Sequence, residues 1–344
     1  MRTWIIGISI AIASLPTGAG AVVGEPRLEG PDIEPVTEPV AVVEAITDAR
    51  WSCSGAMATR TITVPTAPDG TWDRIILEVD ALPDGDPWDR LLTAAIGGAE
   101  VLRATTPRTD MTLRKDVTGY SALLPQGQQV TVSLSIGSFV GAIDGRARLE
   151  FYDNEPTAAA VDRPATTVVP SHFFVGTGGH GQFRDSQVTF PATTPQSATI
   201  DFHTTGHGDE EFWYRNGAII NVPQQRVASL RTFHLEVDGV EVGAVRAMPY
   251  VYALLGFGND NANTACVGPG TSNTGDTLHP AMWWTAQQAA DRAGIHGGVG
   301  EVPQYRITIT DPAHLALLTG ARTVRIMQEN GGSVWYSSLS FLLD

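Results

Sequence analysis

The strictest constraint in this chain is a period of two. In QVTVSLSI (129–136), Val130, Val132, Leu134 and Ile136 alternate with Gln129, Thr131, Ser133 and Ser135. An extended backbone sends those two sets to opposite faces, whereas a helix would scatter both around its axis. The same rhythm returns in TITV (61–64), RARLEFY (146–152), QVTF (187–190), ATIDFH (198–203), YRITIT (305–310) and VWYSSLSFLL (334–343), with Gly, Pro and Asp between the runs. Strands with one apolar face need a second layer to cover it, so the pattern predicts an all-β chain of sandwiches. FHLEVDGVEVGAV (233–245) places Asp238-Gly239 between two alternating runs. That dipeptide suits the positive backbone angles of a tight hairpin. Helix is expected only at MWWTAQQAADRAG (282–294) and, more briefly, at VTGYSALL (117–124).

The chain has 344 residues, and domains of roughly 100 to 200 residues make that about two. DNEPTAAAVDRPATT (153–167) interrupts the alternation with small residues and prolines. The expected organisation is an N-terminal sandwich over 51–155, a linker over 156–167 and a C-terminal sandwich over 168–344. No repeat with a period of about 20 to 50 residues is visible, which disfavours a propeller or solenoid. Arg2, the apolar run WIIGISIAIASL, Pro16 and the small residues Ala19 to Ala21 read as a signal peptide over 1–21. That run is short of the ~20 residues a membrane span needs, and no cysteine follows it to carry a lipid. A secreted or periplasmic, monomeric protein without membrane attachment is expected. Residues 22–50, rich in Pro, Glu and Val, read as an extended spacer.

The formal net charge is −15, and Lys115 is the only lysine among 22 basic residues, so nucleic acid is excluded as a partner. Cys53 and Cys266 allow at most one disulfide, and the sequence leaves open whether they meet. No histidine precedes His172, so a copper site with ligands from the first half cannot be built; His203 and His207 supply part of one site at most. Asp260 and Asp276, at opposite ends of a glycine- and asparagine-rich stretch, bring too little charge together for calcium. Nucleophile-elbow, zinc-helix and phosphate-loop motifs are absent. No cofactor or metal is expected.

Trp-Asp-Arg occurs twice, at 72–74 and 88–90. The first copy runs into Ile75, Ile76, Leu77 and Val79 and reads as a strand entrance with ordinary solvent contacts. The second follows the turn-forming PDGDP, which delivers Asp89 at a loop end between an indole and a guanidinium. Taken alone, Asp89 reads as a surface ion pair. The wider segment, PWDRLLTAAIGGAEVLRATTPRTDMTLRKDVTGYSALL (87–124), resembles the first domain of asparagine amidases of the peptide-N-glycosidase F group. TTGHGDEEF (204–212), Cys266 in its Asn/Gly-rich loop, DRAG (291–294) and the closing Ser/aromatic strand follow in that group's order.

The resemblance implies two eight-stranded antiparallel jelly-roll sandwiches side by side with an active cleft between them. It also implies hydrolysis of the amide joining N-acetylglucosamine to asparagine in an N-glycoprotein or glycopeptide. Within it Asp89 is the acid/base carboxylate, Glu211 a second carboxylate, Arg292 the cleft arginine, and Trp88 and Arg90 hold substrate. Two departures temper this. A further family carboxylate falls at Ile136 or Gly137, and Ile295 and His296 stand where the family has Trp and Cys. Altered or reduced activity, and a glycan-binding module that has lost turnover, therefore remain alternatives to a working hydrolase; a copper monooxygenase-like protein is a more distant one.

Overall fold

The computed structural model describes residues 23–27, 37–52, 56–84, 91–105, 110–137, 142–153, 164–178, 182–206, 231–247, 304–329 and 334–344. A short strand, β1 (Val23–Arg27), precedes a sandwich made of the next eight: β2 (Ala41–Ser52), β3 (Ala56–Thr63), β4 (Arg74–Asp84), β5 (Leu91–Ile96), β6 (Ala99–Thr105), β7 (Met111–Asp116), β8 (Gln129–Ile136) and β9 (Ala142–Tyr152). Its sheets run β2-β9-β4-β7 and β3-β8-β5-β6. QVTVSLSI forms β8, and Val130, Val132, Leu134 and Ile136 all enter the core.

The second sandwich uses β10 (Thr167–Gly178), β11 (Gln182–Phe190), β12 (Ala198–Gly206), β13 (Arg231–Val237), β14 (Val240–Ala247), β15 (Gln304–Ile309), β16 (Gly320–Gln328) and β17 (Val334–Leu343). Its two sheets, β10-β17-β12-β15 and β14-β13-β16-β11, repeat the strand order of the first. In both halves the first strand lies beside the eighth, the second beside the seventh and the fourth beside the fifth, which is jelly-roll winding. β1 lies between β15, to which it is antiparallel, and β14, to which it is parallel, and so joins the second sandwich's sheets at one edge. The expected hairpin is present between β13 and β14, with Asp238 at φ 49° and Gly239 at φ 79°.

Two expectations need correction. Residues 22–50 are not wholly a spacer, because β1 lies in one sandwich and Ala41 onward pairs with β9 in the other. Averaged over the whole stretch, the Pro/Glu content hides a strand that begins just past Pro39. Register shifts between Glu44 and Ile46, and between Ile46 and Ala49, also break the alternation that would have revealed it. The second correction is helical. VTGYSALL contains only the 3-10 segment Thr118–Leu123, while an unforeseen turn, Pro312–Leu315, is capped by the Asp311 carboxylate accepting from the Ala313 N–H. The proposed signal peptide, the helix expected at 282–294, both cysteines and His207 lie outside the described residues. Among the described residues no helix is long and apolar enough to cross a membrane.

Two cores result. Trp51, Trp72 and Phe151 anchor the first, and Phe202, Phe233, Trp335 and Phe341 the second. Along β12 and β17, side chains of both faces are buried. On β12, Ile200 and Phe202 face its own core, while Asp201, His203 and Thr205 turn towards the first sandwich and are 2% exposed or less. Val168 and Leu342 belong to the first core although their strands lie in the second sandwich, so the halves share buried surface.

A polar seam between the two sandwiches

Asp89, Glu211, Arg292, Trp88 and Arg90 all lie outside the described residues. The strand ends that lead to two of them are described. β5 begins at Leu91, two residues after Asp89, and Leu91 packs against the second sandwich's core. β12 ends at Gly206, five residues before Glu211. The Gly137 N–H donates to the Leu91 carbonyl at 3.3 Å, and Ile136 pairs with Leu92. The position at which the resemblance implies a further carboxylate therefore lies beside the strand that begins two residues after Asp89. Ile136 is fully buried in the core, so strand alternation turns position 137 away from it. A glycine there offers no side chain.

Between these strand ends lies a seam that the sequence did not announce. Glu100 and Arg103, both on β6 and both with fully buried side chains, form a bidentate pair, Nε to Oε1 at 2.6 Å and Nη2 to Oε2 at 2.8 Å. The rest of the guanidinium faces the other sandwich. Nη1 donates to the Thr205 hydroxyl at 3.2 Å and to the Tyr336 carbonyl at 2.6 Å, and Nη2 to the Ser338 hydroxyl at 3.1 Å. Ser338 in turn donates to Glu100. Burial alone would raise the Glu100 carboxyl. The charge and hydrogen bonds of Arg103 outweigh it and, with His203 and Ser338, hold the carboxyl below its ordinary value.

Further along the seam, Arg306 grips Asp201 through two bonds of 2.6 and 2.7 Å, and Tyr120, from the first sandwich, donates to the same carboxylate at 2.7 Å. Gln304 donates to the Tyr120 hydroxyl at 3.1 Å. Burial, with the Asp201 charge beside it, pushes the Tyr120 phenol well up. Asp201 is lowered, because Arg306 and the Tyr120 bond overcome its burial. His203 lies between the clusters, its Nδ1 3.9 Å from Glu100 Oε1, and burial lowers it to about 4 against the pull of Glu100. At neutral pH the Glu100 and Asp201 carboxylates are therefore ionised, each against its own guanidinium, and the His203 imidazole is neutral.

A second polar group lies on the first sandwich's outer face. Glu78, Arg114, Arg148, Glu150 and Tyr152 join across β4, β7 and β9, and four of them help line a cleft of about 360 Å³ rimmed by Thr37, Glu38 and Pro39. Burial and the bond to Glu150 push the Tyr152 phenol up to about 12, so it stays a proton donor. Glu78 and Glu150 in this group each pair with both Arg114 and Arg148. Among the described residues no group of His, Cys, Asp or Glu is arranged to hold a metal ion.

Sequence reading singled out His203 but not Glu100, Arg103, Tyr120, Asp201 or Ser338. The available signal was the polar side of β12 and β17, which is made of Asp, His, Thr and Ser rather than the Lys, Arg and Glu usual on a solvated face.

The family model described as peptide N-acetyl-beta-D-glucosaminyl asparaginase amidase A matches residues 40–254. The chain is 24% identical over 255 residues to peptide-N4-(N-acetyl-beta-glucosaminyl)asparagine amidase A of Prunus dulcis, covering 61% of this chain and 43% of that relative. It thus spans less than half the relative's length. Solved structures share the fold. A peptide-N(4)-(N-acetyl-beta-D-glucosaminyl) asparagine amidase is 15% identical over 88% of this chain and 95% of its own, with a TM-score of 0.50. PNGase F, a glycosylasparaginase from Flavobacterium meningosepticum, is 14% identical with the same coverages and a TM-score of 0.50.

Proposed function

This chain belongs to the peptide N-acetyl-beta-D-glucosaminyl asparaginase amidase A family, and we propose that it hydrolyses the amide between N-acetylglucosamine and asparagine in N-glycoproteins or glycopeptides. The family match carries this reading, because residues 40–254 include both Asp89 and Glu211. Arg292 lies beyond that segment and rests on the resemblance of DRAG alone.

Amide resonance makes the carbonyl a weak electrophile and the amine a poor leaving group. The reaction needs an activated water, a donor for the developing oxyanion and a proton for the departing nitrogen. In this reading Asp89 takes the proton from water as oxygen adds to the carbonyl carbon, and returns it to nitrogen as the C–N bond breaks. The products are an aspartate side chain and a glycosylamine. Glu211 positions the amide. The guanidiniums of Arg90 and Arg292, charged at every relevant pH, keep a neighbouring carboxylate ionised and hold the sugar or carbonyl oxygen, with Trp88 against the ring.

Incubating the protein with a denatured N-glycoprotein and following released glycan and the asparagine-to-aspartate mass change tests it. Release in the parent, with a loss of at least ~100-fold in Asp89→Asn, is expected for an acid/base group. Glycopeptide binding without release across pH, with a working control enzyme, would replace the hydrolase with the non-catalytic glycan binder.

A further inference from the structure

We infer that Arg103 is a positioning residue. Locked to Glu100, it clamps the two sandwiches so that the strand end leading from Asp89 and the strand end leading to Glu211 are held at one fixed separation. This rests on the reading of Asp89 and Glu211 as the working carboxylates.

The argument begins with donor counting. A guanidinium has five N–H groups in a rigid plane. In Arg103 two go to Glu100 in its own strand, and the others reach Thr205, Ser338 and the Tyr336 carbonyl across the seam. Each acceptor fixes one direction in that plane, so neither sandwich can slide or tilt without breaking a bond to a fully buried cation. A buried ion pair is a poor source of stability compared with apolar groups of the same size. Its gain is geometric.

The register shows what that geometry controls. Arg103 pairs with Thr93 on β5, four residues after Asp89. Thr205 pairs with Tyr336 on β17, six residues before Glu211. One side chain therefore spans the two rungs from which both proposed carboxylates depart. At the ~3.3 Å rise of an extended residue, the two chain paths to them are at most about 13 and 20 Å. The pair itself is inaccessible, both side chains being fully buried, so it acts only through the strands it holds.

The test replaces the pair by apolar residues of similar volume, Glu100→Leu with Arg103→Met, so that no unpaired charge is left behind. The double variant takes the Arg103 donors away from Thr205, Ser338 and the Tyr336 carbonyl, so its melting temperature should fall while it stays folded by tryptophan fluorescence, and kcat on a glycopeptide should fall at least ~10-fold with KM changed less than ~3-fold. Two spin labels, at Asp69 and Ala313 in a background with both cysteines replaced, should show a wider distance distribution between the sandwiches. Unchanged kcat, or an unchanged distance distribution, would overturn the clamp. If the double variant does not fold, Thr205→Val with Ser338→Ala removes two cross-seam acceptors under the same criteria. If the parent releases no glycan, the amidase reading fails separately, and the label distances alone decide the clamp.

Discussion

Replacing Gly145 by alanine tests whether the first sandwich is packed as described. Gly145 lies on β9 between its partners Ala49 on β2 and Ala81 on β4. A methyl group there would overlap Cζ3 of Trp51, come within 2.6 Å of its Cη2 and stand 3.0 Å from Leu134 Cδ2. Carbon contacts prefer about 3.5 to 4.0 Å, so the indole would have to retreat by about 1 Å. It is 2% exposed and surrounded by the core, so it has nowhere cheap to go. Overpacking of this kind costs about 1–3 kcal/mol. Alanine recovers about 0.5–1 kcal/mol through lower chain entropy in the unfolded state. A net loss of about 1 kcal/mol is expected, equivalent to a fall of roughly 5 °C in the melting temperature of a sandwich this size. Urea unfolding followed by tryptophan fluorescence gives the free energy. Trp51→Phe removes the ring that the new methyl would strike, so the double variant should cost at least about 1 kcal/mol less than the sum of the singles. A harmless Gly145→Ala, or strictly additive costs, would refute this packing.

Acid should open the seam. His203 is lowered to about 4 by burial, so the unfolded chain binds its proton first, and stability falls as pH drops from about 6.5 towards 4. Glu100, Arg103, Lys115 and Asp201 are the charged groups acting on it, and the lowered Glu100 and Asp201 add their own loss below their unfolded values, in the same direction. Chemical denaturation at stepped pH should show that slope, and His203→Gln should flatten it between pH 6.5 and 4.5; an equal slope in both proteins would contradict the assignment. Tyr120→Phe removes a 2.7 Å bond to the buried Asp201 carboxylate, with an expected cost of about 1.5–3 kcal/mol by urea unfolding. A cost near zero would mean that the Tyr120 bond does not contribute to the docked state.

How far the sequence revealed the molecule depended on what period two can encode. It located β8 and β17 at their observed ends, and Asp238-Gly239 gave a turn its own chemistry enforces. It missed β2 because its bulges put the buried Ala45 and Ile46 side by side, which breaks the parity of an otherwise alternating strand. The seam was hidden for a different reason. Alternation says that Asp201, His203 and Thr205 share the face opposite Ile200 and Phe202, but parity cannot tell water from a neighbouring sandwich. The glutamate-arginine pair on β6 was equally silent, since such pairs are common on exposed strands. Resemblance, rather than pattern, pointed to Asp89, Glu211 and Arg292.

The seam's charges are arranged so that docking need not create an ion pair. Glu100 and Arg103 belong to the first sandwich, and Asp201 and Arg306 to the second, so each half can neutralise its own acid before the halves meet. What crosses the seam around these pairs is a set of neutral groups bonded to charged ones: Thr205, Ser338 and the Tyr336 carbonyl on Arg103, and Tyr120 on Asp201. Bonds of this mixed kind are directional and stronger than neutral ones, yet they avoid bringing two bare charges out of water at the moment of contact. An apolar seam would hold the halves together as firmly but would tolerate sliding. With fixed acceptors on both sides of a planar cation, the relative placement of the sandwiches is set by bond direction. An active cleft assembled from two domains needs that kind of fixity, because a misplacement of about 1 Å can cost ~100-fold in rate.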